Sequence, residues 1–546
     1  MSDLPALATS RPLDLAPADL AALVPALTTY QAEFAPFFAR QEQRAWAALY
    51  LRGLLTTDLP RKNAEALALR LLGAGPSADA PVRALQHFLS EAPWDDGPLL
   101  AHHQALVAAS LGEPAGVLIV DGSDVAKQGT HSVGVARQYC GATGKRDNCQ
   151  AGVYLAYASS RGATLLDRRL YLPAAWFADD HAAVRAACGV PATVAFRTRA
   201  QLAAEMIEAA QQRGGAPARW LTADEAFGED PAFLDRVAAA RLWYLAEVPR
   251  TTPVWPLREP TTGAERMLPQ RWVPPQRASR KGPVPRREQL HPDSPPKDTV
   301  ASVAAALPVA AWQPYRLLEG RKGPLVAEMA AVRVIGVRER LPGPHVWLVL
   351  RRQIVEPGAE PELKYYLSNA PPETELGTFA WASGMRWPIE SVLEESKGEV
   401  GLDEYECRSW RGWQHHMTLV ILAHHFLVQQ QVLVNQREGG PQRGGGPGHT
   451  TGGGRRFQRP LGRATAGASQ SDQRGPDAAA GDGGAAPATT RCRGGAGAGG
   501  VLPAAQRGGL SLGAEAHSGS PGTGAAPLIS RCNTRGNTSS RGGMRC

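Results

Sequence analysis

The chain lacks several features that would assign it to familiar classes of protein. Its 546 residues contain no run of about eighteen apolar residues, so we expect no transmembrane helix and no membrane partner. The opening residues, MSDLPAL, do not follow the basic-then-apolar order of a secretory signal. The seven cysteines form no C-x-x-C pair and no spacing typical of a disulfide framework. These absences predict a cytoplasmic protein with free thiols, long enough for two or three domains.

Lysine and the larger aromatic residues are missing from the C-terminal part of the chain. No lysine follows Lys397, no tyrosine follows Tyr405 and no tryptophan follows Trp413. Residues 436–546 consist largely of Gly, Ala, Arg, Pro, Ser and Thr. This composition cannot bury a core, and we expect a disordered, low-complexity tail. A second interpretation, that the tail is a frameshift product, follows from the G/C-rich codons of these residues.

The net charge of +8 does not by itself indicate nucleic-acid binding by the whole chain. From Gln436 onward there are fourteen arginines and five acids, so the rest of the chain carries 45 of the 59 basic residues and 46 of the 51 acids. The excess positive charge therefore lies in the tail. Any DNA affinity of the remainder must come from local patches.

Residues 1–115 are predicted to form a helical N-terminal region, because apolar positions recur there with the period of a helix. Two candidate helices, Arg61–Leu72 and Ala80–Leu89, are joined by a turn-rich segment. The second carries residue types that reach base edges in DNA: Arg83, Gln86 and His87. An ordinary helical hairpin explains the same pattern, so both interpretations stay open.

Residues 116–248 have the texture of an α/β domain. A short apolar run from Gly116 ends in Asp121, and a later run ends in Asp224. The predicted order is strand, strand, strand, helix, strand, helix, strand, with an acid closing the first and fourth strands. This is the order of a ribonuclease-H-like mixed sheet, in which those two strands are neighbours and bring their acids together.

Residues 249–372 leave this pattern and are predicted to form a β-rich insertion. Their first part is rich in proline and arginine, and strand-like runs follow. Arg280 and Lys281 belong to a basic stretch, close to Trp272, that could grip a phosphate backbone. A solvated proline-rich loop is the alternative.

The second part of the predicted domain, residues 373–435, contains a helix from Pro388 that we expect to stop at Gly398. Glu390 and Lys397 share one face of this helix, and Arg386 leads into it. A carboxylate between two cations suits phosphate chemistry, since the acid can hold a divalent cation while the bases hold phosphates. A solvated helix with ion pairs four residues apart is the alternative.

Four histidines lie in a long apolar helix that follows. No cysteine or carboxylate with ligand spacing accompanies them, so they are predicted to be core or surface residues and not a metal site. They are His415, His416, His424 and His425.

Several long segments together resemble the insertion sequence 701 family of DDE transposases. They are LIVDGSDVAKQGTHSVGVARQYCG, NCQAGVYLAYAS, TADEAFG, MRWPIE and KGEVGLDEYE followed by RSWRGW. The spacing R-x3-E-x6-K at Arg386, Glu390 and Lys397 resembles the signature around the third acid of such enzymes. The tyrosine that opens that signature is replaced here by Ser383, and the usual basic helical C-terminal part is replaced by the tail.

The resemblance implies that Asp121, Asp224 and Glu390 are the three catalytic, metal-binding carboxylates, with Arg386 and Lys397 as basic partners on DNA. Three carboxylates can hold two Mg²⁺ ions about 4 Å apart, for which Mn²⁺ can substitute, and these clamp the attacking and leaving oxygens of a phosphodiester. Asp124 and Glu394 are nearby acids that rank second as ligands.

The implied activity is cleavage of DNA at the terminal repeats of an insertion sequence, followed by joining of the 3′ ends to target DNA. The implied partner is double-stranded DNA, at transposon ends and target, bound by a homodimer in the bacterial cytoplasm and nucleoid. Two alternatives remain open: a catalytically dead DNA-binding relative, and a non-mobile nuclease of the same fold.

Overall fold

A computed structural model describes most of the chain before the tail: residues 17–75, 79–274, 287–320, 323–355 and 360–438. The predicted phosphate contacts Arg280 and Lys281 lie outside the described residues, as does nearly all of the predicted disordered tail, from residue 439 onward.

The N-terminal region is helical, as predicted. Asn63 and Asp95 each begin a helix, because their side chains accept hydrogen bonds from the backbone amides of Ala66 and Gly97, which have no partner within the helix. The α-helices among the described residues of this region are α1 (Pro17–Phe34), α2 (Gln41–Leu54), α3 (Ala64–Leu72), α4 (Asp79–Ser90) and α5 (Asp96–Leu111).

The predicted helical pair corresponds to α3 and α4. The three residues of α4 that were predicted to reach DNA bases, Arg83, Gln86 and His87, are exposed, while Leu85 and Phe88 are buried. Whether this exposed face binds DNA stays a prediction.

The central strands follow the predicted order with two differences: one additional strand, Ala136–Cys140, lies between the first two predicted strands, and the first strand continues to Ala126 instead of ending at Asp121. The strands are β1 (Val117–Ala126), β2 (Ala136–Cys140), β3 (Lys145–Ser159), β4 (Gly162–Tyr171), β5 (Trp220–Ala223) and β6 (Trp243–Glu247). The helices between them are α6 (Ala182–Ala187), α7 (Arg199–Gln212), α8 (Glu225–Gly228) and α9 (Pro231–Ala239). Strand β1 pairs antiparallel with β3 and parallel with β5, β5 pairs parallel with β6, and β4 lies beside β3. The predicted ribonuclease-H-like mixed sheet is confirmed.

The predicted β-rich insertion is also present, and it continues the same sheet. Its elements are β7 (Pro253–Pro256), β8 (Arg271–Trp272), β9 (Gln289–Leu290), β10 (Asp298–Thr299), α10 (Val300–Ala305), β11 (Gln313–Gly320), β12 (Gly323–Arg338), β13 (Leu341–Gln353) and β14 (Leu363–Ser368). Strand β14 pairs antiparallel with β6, so the order in the described residues is β10-β7-β12-β13-β14-β6-β5-β1-β3-β2. The predicted boundaries between the five chain segments remain predictions.

Apolar layers cover both faces of this sheet. Along β1, Val117 and Ile119 face one layer while Leu118 and Val120 face the other, because successive side chains of a strand point to opposite faces. The first layer contains the N-terminal helices and three C-terminal ones, and the second contains α7, α9 and α10. The C-terminal helices are α11 (Leu376–Gly384), α12 (Pro388–Val400) and α13 (Trp410–Glu438).

Helix α13 is a central core helix. In the described part of the chain it is the one helix long and apolar enough to cross a membrane, but most of that stretch is buried inside the protein. Its four histidines are buried and hydrogen-bonded: His415 to the carbonyl oxygen of Leu89, His416 to Tyr50, His424 to Thr164 and His425 to Tyr30. The prediction that these histidines are not metal ligands is consistent with these partners.

The predicted end of α12 is wrong by one turn. The helix continues through Gly398 to Val400, and Gly401 ends it with a φ of +67°. That left-handed conformation favours glycine, and a Cβ at Gly401 would lie 2.7 Å from the Cβ of Lys62. Gly398 has open space around it, so nothing in its surroundings requires a glycine.

Candidate active site

Asp121 and Asp224 lie side by side on neighbouring parallel strands. Val120 of β1 is in register with Ala223 of β5, and each aspartate is the next residue along the chain. Adjacent strands are about 4.8 Å apart, and side chains in the same register point to the same face. Both aspartates therefore project toward the layer that contains α12. The predicted meeting of the two acids follows from this register.

Helix α12 brings Glu390 to the same place. Pro388 fits its first turn, where a missing amide hydrogen costs no hydrogen bond. Arg386, just before the helix, places its guanidinium between two acids: it donates a hydrogen bond to Glu390 Oε1 and lies 3.8 Å from Asp121 Oδ2. Ile389 and Val392 are buried and hold the other face of α12 against the core.

The surroundings of the two aspartates disfavour their ionised forms. Burial and the neighbouring charge of Asp224 together raise the pKa of Asp121 to about 7, against the opposing effects of the Gly122 amide and Arg386. Burial also raises the pKa of Asp224. Asp224 Oδ1 is buried without a hydrogen-bond partner. A group that is buried, anionic and unpartnered is costly unless a cation or donor joins it.

These properties fit a divalent cation, which prefers carboxylate oxygens. The free Oδ1 of Asp224 and the elevated pKa of Asp121 are the two observations that carry the fit. In the described residues no group of three or more His, Cys, Asp or Glu side chains is already spaced as a set of metal ligands. Arg386 supplies the positive charge beside Glu390 and Asp121 instead, and the three-carboxylate set stays a prediction.

The acids ranked second are not drawn into this cluster. Asp124 is three residues beyond Asp121 and so points to the opposite face of β1, where it accepts a hydrogen bond from the Gly141 amide at 2.8 Å and lies 3.6 Å from Arg199. Glu394 is exposed on α12, one turn after Glu390. Strand and helix periods separate these neighbours from the predicted ligands.

Two other residues singled out in the sequence have distinct environments. Lys397 is half-buried on α12, and no ion pair joins it to another described residue. Ser383, which stands where the resembling signature has a tyrosine, is buried and donates its hydroxyl to the carbonyl oxygen of Ala380. Its hydroxyl is therefore occupied within α11.

Sequence reasoning missed a group of residues on β6 and β14. Glu247 is paired with Lys364 at 2.8 Å, and Tyr366 is in register with Glu247. The signal was a tyrosine and a lysine two residues apart in a strand-like run, but their place beside the site depends on the pairing of β14 with β6, which spans more than a hundred residues of sequence.

The chain belongs to the DDE superfamily endonuclease family, whose model matches residues 33–324, more than half of the chain. The match includes Asp121 and Asp224 and ends before Glu390. No curated protein sequence matches the chain. Among solved structures, the chain is similar to a piggyBac transposase in a synaptic complex with hairpin DNA, with 10% sequence identity and a TM-score of 0.36 over 77% of this chain and 76% of that one.

Proposed function

We propose that this endonuclease is a transposase that cuts DNA at the terminal repeats of its own insertion sequence and joins the freed 3′ ends to target DNA. The observation that carries the proposal is the register of β1 and β5, which brings Asp121 and Asp224 together, while Arg386 lies against both Asp121 and Glu390. The choice of transposon ends as the substrate rests on the segments that resemble the insertion sequence 701 family.

In the proposed mechanism Asp121, Asp224 and Glu390 would hold two Mg²⁺ ions, for which Mn²⁺ could substitute. Such ions would activate the attacking water or 3′-OH and stabilise the leaving oxygen of an in-line displacement. With a pKa of about 7, Asp121 is partly protonated near neutral pH. It must lose this proton before it can bind a cation. The buried Asp224 Oδ1 is already free of other partners.

The cations of α12 are proposed to act on the DNA backbone. Lys397 lies seven residues after Glu390, about 10 Å along the helix at ~1.5 Å per residue, which is within reach of a strand held at the acids. Arg386 offers a planar fork that can bind a phosphate through two hydrogen bonds. We also propose that a homodimer binds the two DNA ends, with Arg280 and Lys281 as further backbone contacts.

Strand cleavage tests this function. The substrate is a duplex that carries the inverted repeat flanking the gene, with a shuffled duplex as control. We expect Mg²⁺-dependent cleavage at the repeat end, and Asp121→Ala, Asp224→Ala or Glu390→Ala to abolish cleavage while DNA binding persists.

The matched control is Asp124→Ala, which removes an acid on the same strand but on the opposite face. It should retain metal-dependent cleavage in the fraction that folds. Loss of cleavage in folded Asp124→Ala, together with full activity of Asp121→Ala, would contradict the assignment.

A further inference from the structure

Tyr366 carries a buried hydroxyl that has no hydrogen-bond partner. The residue is 2% exposed, and its Oη is among the buried polar atoms without a partner. The hydroxyl of another buried tyrosine, by comparison, has two partners: Tyr157 Oη accepts a hydrogen bond from the Glu113 amide and donates one to the carbonyl oxygen of Pro217, both at 2.9 Å. An unpaired buried hydroxyl costs free energy, so its persistence in a core calls for a reason.

Strand register places Tyr366 beside the acid cluster. Tyr366 is paired with Glu247 of β6, and Glu247 follows Ala246, which is in register with Ala223 of β5. The row thus runs from Asp224 through Glu247 to Tyr366 on one face of the sheet. The guanidinium of Arg351 lies 5.7 Å from the centre of the tyrosine ring. Burial raises the pKa of Tyr366, and the charges of Arg351 and Arg386 oppose that rise.

Arg386 occupies a position that conflicts with the proposed function. Its guanidinium is bound to Glu390 and lies 3.8 Å from Asp121. Divalent cations held by the same carboxylates would repel it, so Arg386 must leave these acids for the site to fill. A guanidinium has five N–H donors and is costly to bury without acceptors.

Two other polar side chains of the described residues near the site already have partners. Glu247 is already paired with Lys364 at 2.8 Å, and the hydroxyl of Ser383 lies against the Ala380 carbonyl. Tyr366 Oη is an acceptor with no partner, on the sheet face that Arg386 contacts.

We propose that Tyr366 is a positioning residue: its hydroxyl accepts a hydrogen bond from Arg386 once Arg386 leaves Asp121 and Glu390. The bond holds the guanidinium off the carboxylates and turns its remaining donors toward a DNA phosphate. This inference rests on the proposed function, since it gives Arg386 a second position in the same site.

Tyr366→Phe removes only the hydroxyl and gives the first test. Because no described group bonds to that atom, the variant should be at least as stable to heat as the wild type. Cleavage of the inverted-repeat duplex should fall about 10- to 100-fold, the effect of losing one hydrogen bond to a charged group. The matched control, Tyr157→Phe, should show the opposite pattern, a lower melting temperature with cleavage retained. Wild-type cleavage by Tyr366→Phe would overturn the proposal.

Mn²⁺ binding without DNA gives the second test. In Tyr366→Phe, Arg386 keeps competing for the carboxylates, so Mn²⁺ affinity measured by calorimetry should fall about 10-fold or more. In the Arg386→Gln background the competitor is absent, and Tyr366→Phe should change Mn²⁺ affinity by less than about 2-fold.

These outcomes separate the positioning role from the proposed function. Equal Mn²⁺ affinity of the wild type and Tyr366→Phe would overturn the role of Tyr366 while leaving the carboxylate site intact. Equal losses in both backgrounds would also overturn it, because they would show an effect independent of Arg386. An absence of Mn²⁺ binding by the wild type would contradict the proposed function itself.

Discussion

Replacing Asp121 by asparagine should make the metal-free protein more stable while it abolishes cleavage. Burial and the charge of Asp224 raise the pKa of Asp121 from 3.8 to about 7. Between these values the unfolded chain releases a proton that the folded chain retains, so stability falls as pH rises through this window. At pH 8 the whole penalty is present, and about three pKa units correspond to about 4 kcal/mol as an upper estimate.

Asparagine cannot ionise, and its side-chain oxygen can still accept the hydrogen bond that the Gly122 amide donates to Asp121 at 2.7 Å. We expect Asp121→Asn to raise the free energy of unfolding by roughly 2–4 kcal/mol at pH 8 in EDTA, and by less than about 1 kcal/mol at pH 4. Urea denaturation followed by circular dichroism at several pH values measures this. Asp124→Asn is the control, and it should not be stabilised because it weakens the ion pair with Arg199. A difference between Asp121→Asn and the wild type that is zero at pH 8, or constant with pH, would refute the reasoning.

Further predictions concern α12 and the core. Lys397→Ala should weaken cleavage of the repeat duplex but change the free energy of unfolding by only tenths of a kcal/mol. Arg386→Lys should cleave less than the wild type, because lysine cannot bind a phosphate through two parallel hydrogen bonds as a guanidinium does. Wild-type cleavage by Lys397→Ala would contradict its proposed role in phosphate binding. Gly398→Ala should stabilise the protein by about 0.5–1 kcal/mol, and Gly401→Ala should destabilise it by at least about 1 kcal/mol, since only the second position has a positive φ and a 2.7 Å contact for the added Cβ; chemical denaturation of both variants checks where α12 ends. Burial lowers the pKa of His103 and His415 to about 4 and of His416 to about 3. At pH 5 each histidine is protonated in the unfolded chain but not in the folded one, so each should lower the free energy of unfolding by about 2 kcal/mol relative to pH 7. An unfolding free energy that stays constant from pH 7 to pH 5 would contradict this.

The order of the central strands other than β2 could be predicted because each contains an apolar run that is visible in the sequence, whereas β2 (Ala136–Cys140) is short and largely polar and was missed. Asp121 and Asp224 were correctly placed next to each other, but Asp121 does not end its strand: it directly follows the last residue of β1 that pairs with β5, and β1 continues beside β3 to Ala126. The same periodicity arguments located α3, α4 and α12 to within a few residues. The end of α12 was missed because the sequence does not show which glycine adopts a positive φ, and that glycine is Gly401, not the predicted Gly398.

Features that depend on long-range pairing could not be predicted in this way. The pairing of β14 with β6 joins the insertion to the central sheet and brings Tyr366 to the site. Neither strand has a local sequence pattern that predicts which strand it pairs with. The ion pair of Arg386 with Glu390 was visible as a spacing of four residues, whereas its approach to Asp121 required the packing of α12 against β1.

The central claim is that Asp121, Asp224 and Glu390 form one cation site at the edge of the sheet. Crystals of the protein grown with Mn²⁺ and a repeat-end duplex, examined by anomalous diffraction, test it most directly. The account predicts anomalous peaks within about 2.5 Å of carboxylate oxygens of both Asp121 and Asp224, with a ligand from Glu390 and with Arg386 displaced from both acids. Two results would contradict it. One is an ion bound by Asp124 or Glu394 with no ion at Asp121 and Asp224, and the other is Arg386 still bridging Asp121 and Glu390 in the complex with Mn²⁺ and DNA.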